Sequence, residues 1–281
     1  MGKKKRKGNI GNLFNWFSII TLVLFIIIAV FAPLIAPHDP NAQNLLARLK
    51  PPIWAEGAEP GYLLGTDNLG RDILSRVIYG TRISILVGLL AVVISGTIGV
   101  FIGLLSGYYR IFDGFMMRIA DIQLAFPTIL LALAIVAVLG GGLGNLIIVL
   151  GITGWVEYAR VIRSEVLSMK TSDFVVAAST IGASDGRLLF RHILPNILAP
   201  IITIATFHVA ATIIAESSLS FLGLGVPISI PSWGNMLSEG QLYVSSAWWM
   251  SLFPGLMIMF VVLAINILGD YIREGFNPNA K

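Results

Sequence analysis

Thr203, Thr206, His208 and Asn266 are polar side chains inside otherwise apolar runs of this 281-residue chain. Polar groups at membrane depth are costly. They face either a neighbouring helix, where they form hydrogen bonds, or a water-filled path. Both readings are open for His208 and for Asn266. The chemistry that would make an enzyme is not legible. His38, His192 and His208 fall in three separate regions, and there is no cysteine to complete a metal cluster. No HExxH, GxSxG or Walker A pattern occurs. The glycine-rich turn Gly140–Asn145 has no Lys-Ser/Thr after it, so it is not a phosphate loop. The reading is therefore no catalytic residue, no metal site and no cofactor on this chain, and any energy source must sit on another one. Two charge pairs read as local and structural: Arg71 with Asp72, and Arg118 with Asp121 at helical spacing.

The elements that must hold these residues are set by composition. The chain is 56% hydrophobic and 12% charged, with mean hydropathy +0.84. A soluble domain carries roughly 25% charged residues, so too little polar surface remains to cover a globule. The high isoelectric point comes from basic residues flanking apolar runs. That pattern orients a protein in a lipid bilayer and does not call for nucleic acid.

Six apolar runs are expected to span: 17–36, 83–107, 119–139, 146–161, 197–215 and 250–268. The first is about twenty residues, longer than the core of a signal peptide. Gly99, Gly103 and Gly107 put small residues on one face of the second, for close helix packing. Pro127 should kink the third. Glu157, Arg160 and Arg163 mark the exit of the fourth. The segment 65–82 reads as a short amphipathic piece before the second span, and 216–247 as a polar loop. Trp248 and Trp249 suit the interfacial belt.

The longest polar-containing stretch in the second half is Ser172–Pro200. Asp173 favours a helix start. Phe174, Ala177, Ala178 and Ile181 recur at helical spacing as one apolar stripe. Gly182 and Gly186 bracket a bend around Ala183, with Arg187 and Arg191 flanking the apolar residues that follow. Pro195 lacks the N–H needed to continue the helix. On spacing alone this is an amphipathic loop helix, packed on its own bundle or offered to a partner.

The spacing Ala177-Ala178-x-x-x-Gly182, then Leu194-Pro195, resembles the EAA loop of ABC-transporter permeases. Val176 stands where that pattern has Glu, and His192 where Ile is usual, so no acid is available at Val176. The resemblance extends over 65–88, 158–184, 191–196, 216–227, 231–237 and 253–258. Taken together these segments are similar to the C-type subunit of the dipeptide/oligopeptide/nickel permeases. The resemblance implies an all-α type I importer permease fold with six transmembrane helices. A coupling helix would lie between the fourth and fifth, in a loop at 165–195 within a core of 83–281. A cytoplasmic tail (1–16) and a first helix with its outer loop (17–82) would precede that core. It also implies a related second permease subunit, two ATPase subunits binding ATP and Mg, and an extracytoplasmic solute-binding protein. In that family Asp173, Phe174, Ala177, Ala178, Ile181, Gly182, Ala183, Arg187 and Pro195 would meet the ATPase.

Orientation follows independently. With the N-terminus inside, fourteen of the 19 Lys and Arg face the cytoplasm, in accord with the positive-inside rule. The loop at 172–195 then faces ATP. Six helices make a thin wall for a peptide path, so a second membrane subunit is expected on that ground too. The competing classes are an ATP-independent transporter, which usually carries paired ionisable groups inside the membrane, and a membrane enzyme.

Overall fold

The computed structural model describes residues 2–276, with side chains from 14 to 276. The basic side chains of the N-terminal tail and Lys281, counted above for orientation, lie outside that range. Among the described residues there is no strand. The chain forms α1 (Gly2–Ile35), α2 (Ile73–Tyr108), α3 (Arg110–Leu124), α4 (Thr128–Leu139), α5 (Leu143–Thr153) and α6 (Trp155–Lys170). The helices α7 (Asp173–Thr180), the single turn α8 (Asp185–Arg187), α9 (Leu198–Phe221), α10 (Trp233–Gly240) and α11 (Trp249–Gly275) follow. Among the described residues five helices are long and apolar enough to cross a membrane, or six when one bent pair counts as a single span.

The centre of the bundle is α2, which packs against α1, α5, α6 and α9. Its 36 residues extend about 54 Å at 1.5 Å each, well beyond a hydrocarbon core of about 30 Å. Of the segment expected to be amphipathic before the second span, residues 73–82 are instead the start of this helix, and 65–72 form the turn before it. The helix begins where the Asp72 carboxylate accepts from the Ser75 backbone N–H at 2.9 Å and from the Ser75 hydroxyl at 2.6 Å. Its glycine stripe works as the spacing suggests. A methyl group on Gly99 would lie 2.4 Å from the Trp155 carbonyl oxygen, on Gly103 2.8 Å from that of Ala159, and on Gly107 2.6 Å from Val166 Cβ. Only a missing side chain lets α2 and α6 come this close. The outer helix α1 turns Val23, Ile27 and Val30 away from the protein, as lipid contact demands. Phe25 is buried, edge-on to Trp233 at 5.9 Å.

Where one kinked third span was expected, the chain forms two helices, α3 and α4. The first starts at Arg110, not at residue 119, and α3 and α4 meet at 88°. Pro127 cannot donate, and it pushes the preceding Phe126 out of helical geometry. Asp121 does not pair with Arg118. Its partner is Arg160 on α6, while Arg163 grips Asp113 with two guanidinium nitrogens. The fourth span divides at Gly154 into α5 and α6. The Trp155 indole donates to Gln123 at 2.9 Å, and the Gln123 amide donates to the Thr153 carbonyl at 2.6 Å, which holds α3 against the break.

The pairing of Arg71 with Asp72 is not formed either. Arg71 and Arg76 both reach Asp67 and Glu239. This cluster joins the segment between α1 and α2 to α10, and the two arginines balance the two acids. Glu216, expected in a polar loop, lies in α9 and is fully buried. Its carboxyl accepts from the Ser84 hydroxyl of α2 at 3.0 Å and from Ser220 at 2.9 Å. A buried polar group is tolerated when hydrogen-bonded in this way.

Candidate functional site

The loop between α6 and α9 is built from a helix that stops on a glycine. Gly182 has φ +87°. The Ala183 N–H returns to the Ala178 carbonyl at 3.1 Å, and the Gly182 N–H to the Ser179 carbonyl at 3.0 Å. This is the two-bond C-cap in which a left-handed residue closes the last turn, a backbone state that costs a side chain roughly 1–2 kcal/mol. Nothing lies within 4 Å of where a Cβ would stand on Gly182, so the glycine serves the turn and not a close approach within the chain. Beyond α8 the backbone widens at Leu188–Ile193 and tightens at Leu194–Ile197. Pro195 lies at the start of that tight turn, where the interruption was expected.

The predicted apolar stripe divides in two. Val175 and Ala178 point inward, onto a cluster with Leu104, Ile162, Val166 and Leu188. Phe174, Ala177 and Ile181 point outward. Phe174 is 44% and Ile181 87% exposed, and Val176 beside them is 51% exposed. Asp173, Gly182 and Arg187 are exposed as well, while Ala183 is half-buried against the inner cluster. The outward row is an apolar surface on a loop beyond the ends of the long helices.

Two contacts that spacing did not suggest tie this loop to the bundle, and a third braces the end of α6 where the loop begins. Tyr108 and Tyr109, at the end of α2, donate their hydroxyls to Asp185 at 2.8 and 3.1 Å. Lys170 donates to the Tyr108 carbonyl at 2.7 Å and lies 4.7 Å over its ring. Desolvation by neighbouring groups, and then the bond to Asp185, push the Tyr109 phenol above its ordinary pKa. The sequence signal was present in the paired tyrosines at a helix end, but their partner lies 76 residues away.

The four intramembrane polar residues are not brought to one place. Thr203 and Thr206 donate to the carbonyls of Ala199 and Ile202 on their own helix, each at 2.9 Å. Thr206 faces Gly269 of α11, and Asn266 is half-buried on that helix. His208 faces the opposite way, its ring 5.2 Å from that of Tyr158. Its Nδ1 has no hydrogen-bond partner among the described residues, so of its two readings the interhelical hydrogen bond is not formed at that atom. It lines two open clefts instead, of about 250 and 460 Å³, and Glu157 lines both with it. Glu157 therefore stands on the face that lines both clefts. Among the described residues no three His, Cys, Asp or Glu side chains come together as metal ligands.

A comparison with known families decides the identity. Residues 95–281 match the model for the binding-protein-dependent transport system inner membrane component. The chain belongs to that family. Residues 12–52 of this inner membrane component also match the N-terminal TM domain of oligopeptide transport permease C. It is 46% identical over 254 residues to the di/tripeptide transport system permease protein of Pseudomonas aeruginosa, covering 90% of this chain and 84% of that one. It is 42% identical over 256 residues to the dipeptide transport system permease protein of Haemophilus influenzae, covering 91% and 87%. The Escherichia coli protein of the same name is 42% identical over 255 residues, covering 90% and 85%. This family membership makes the chain a multi-pass membrane permease subunit of an ABC transporter, as the resemblance implied.

Proposed function

We propose that this chain forms half of the translocation pathway of an ATP-driven importer of di- and oligopeptides, and that its α6–α9 loop couples the pathway to a separate ATPase. The observation that carries this reading is the outward row Phe174, Ala177 and Ile181. It is a compact apolar face on a polar loop, held from behind by Val175 and Ala178. Uncovered apolar surface of this kind marks a protein contact. The names of the relatives at 42–46% identity support peptides as the cargo.

In this reading both termini and α7 are cytoplasmic, and the Asp67–Arg71–Arg76–Glu239 cluster faces outward, where a solute-binding protein delivers the peptide. A second, related permease subunit completes the wall. Two ATPase subunits hold ATP and Mg. When they close on ATP, α7 moves with the groove that seats it. The Asp185 tie carries that motion to α2, and the chain on either side of the loop carries it to α6 and α9. The clefts beside His208 then change which side they open to, as a rigid-body transition. The coupling is only as large as the difference in contacts between the two states.

The experiment is purification of the tagged chain from native membranes, identification of what accompanies it, and assay of ATP-dependent uptake of labelled dipeptides and of nickel by that complex. An ATPase and a second permease in the complex, with peptide uptake, are expected. A chain that carries solute alone, without ATP, would overturn the proposal.

A further inference from the structure

Glu157 is the fifteenth of the 28 residues of the span Leu143–Lys170, and His208 is near the middle of α9. Both therefore lie far from the ends of their helices, and Glu157 is exposed. An ionisable group so placed in a span is not left against lipid; it faces a wet cavity or a partner. The two clefts that Glu157 and His208 share run along α4, α5, α6 and α9, with walls such as Leu150, Ile204, Phe207 and Ile214. The remaining charge on this face is Arg160, which Asp121 neutralises. No cation lies within ion-pair distance of Glu157 among the described residues. The cleft is thus an apolar groove with one uncompensated carboxylate. Beside it, a histidine has a buried ring nitrogen without a partner, a cost that a hydrogen bond to an occupant would remove.

We infer that Glu157, with His208 beside it, recognises the amino-terminal ammonium of a peptide passing along this groove. One carboxylate and one imidazole fall short of the ligand set a divalent metal needs. An ammonium asks for less: a charge-assisted hydrogen bond and an apolar wall for the side chain that follows. The inference rests on the import reading above and adds the cargo group that the pathway reads.

Two measurements test it. The chain has no cysteine, so Ala211→Cys, a small exposed position lining both clefts, places a single reporter thiol there. In native membranes a trimethylammonium methanethiosulfonate should modify it about tenfold faster than the sulfonate analogue, because a single-sign cleft concentrates counter-ions. Glu157→Gln should abolish that preference. No modification by either reagent, or equal rates with Glu157 present, overturns the inference without any transport assay. The second measurement uses proteoliposomes holding the complete complex, saturated with binding protein and labelled alanyl-alanine. Glu157→Gln should lower the maximal uptake rate about tenfold, the worth of one charge-assisted hydrogen bond. Glu157→Asp should restore most of it, and Glu157→Lys should abolish uptake. Wild-type rates in both Glu157→Gln and Glu157→Lys overturn the ammonium assignment alone. Glu157-dependent uptake of nickel but not peptide would also overturn it. A wild-type complex that needs no ATPase for peptide uptake would instead overturn the import reading.

Discussion

Tyr108 donates its hydroxyl to Asp185 at 2.8 Å, which fastens the tip of the α6–α9 loop to the end of the central helix. Force applied to α7 therefore reaches α2 directly as well as through the backbone of its own loop. Asp185→Ala or Tyr108→Phe should insert normally yet lower uptake several-fold, with more ATP hydrolysed per peptide moved. A hydrogen bond to a charged group is worth about 1.5–3 kcal/mol, and less where solvent reaches it. The pair should be non-additive in a double-mutant cycle, since both substitutions remove the same contact. Additive losses would show that the two residues act separately.

Gly182 closes α7 through its left-handed backbone and has open space where a side chain would stand. Asn tolerates that conformation better than β-branched residues do. Gly182→Asn should keep most transport, and Gly182→Val should lose it while membrane insertion stays normal. Equal effects of the two would mean that bulk against a partner, and not the turn, sets the requirement.

At Gly99 and Gly103 the demand is the reverse, because the neighbouring carbonyls and side chains of α6 stand within 2.4–2.8 Å of an added Cβ. Gly99→Val should separate α2 from α6 and cost a few kcal/mol, as overpacking does. The thermal midpoint of the detergent-purified protein should drop by several degrees or more, whereas Gly114→Val, with open space around it, should leave it unchanged.

Much of the architecture was legible because it is local. Apolar runs mark spans by length, and glycines at four-residue spacing mark one face whatever lies opposite. Pro127 and Pro195 announce interruptions because a missing N–H acts within a turn. What was not legible depends on neighbours far away in the chain. The stripe Phe174, Ala177, Ala178, Ile181 could not reveal which members face inward, since Leu104 and Val166 decide that. Glu216 reads as loop until Ser84 is found beside it. Adjacency pairs Arg71 with Asp72, but adjacent residues on extended chain point apart, and Glu239 is 168 residues away. Glu157 and His208 share a cleft only because α6 and α9 pack together.

The cluster of Asp67, Arg71, Arg76 and Glu239 offers a separate test. Arg71 and Arg76 are almost fully buried, and Asp67 wholly so. Removing one partner of a buried pair costs about 3–5 kcal/mol, because the other charge stays behind. Glu239→Ala should lower the thermal midpoint clearly and loosen the loop before α2, read as faster proteolysis between residues 41 and 64. Removing Glu239 and neutralising Arg71 together should be milder than the sum of the two changes.

The central claim is that the outward face of α7 is held by a separate ATPase. A photo-crosslinking amino acid at Ala177, in cells expressing the full set of subunits, tests it directly. The adduct should contain an ATP-binding subunit, and the same probe at inward-facing Val175 should give none. Adducts from Ala177 that join only this chain's own helices, or labelling of Ala177 by a membrane-impermeant reagent from outside the cell, would contradict it.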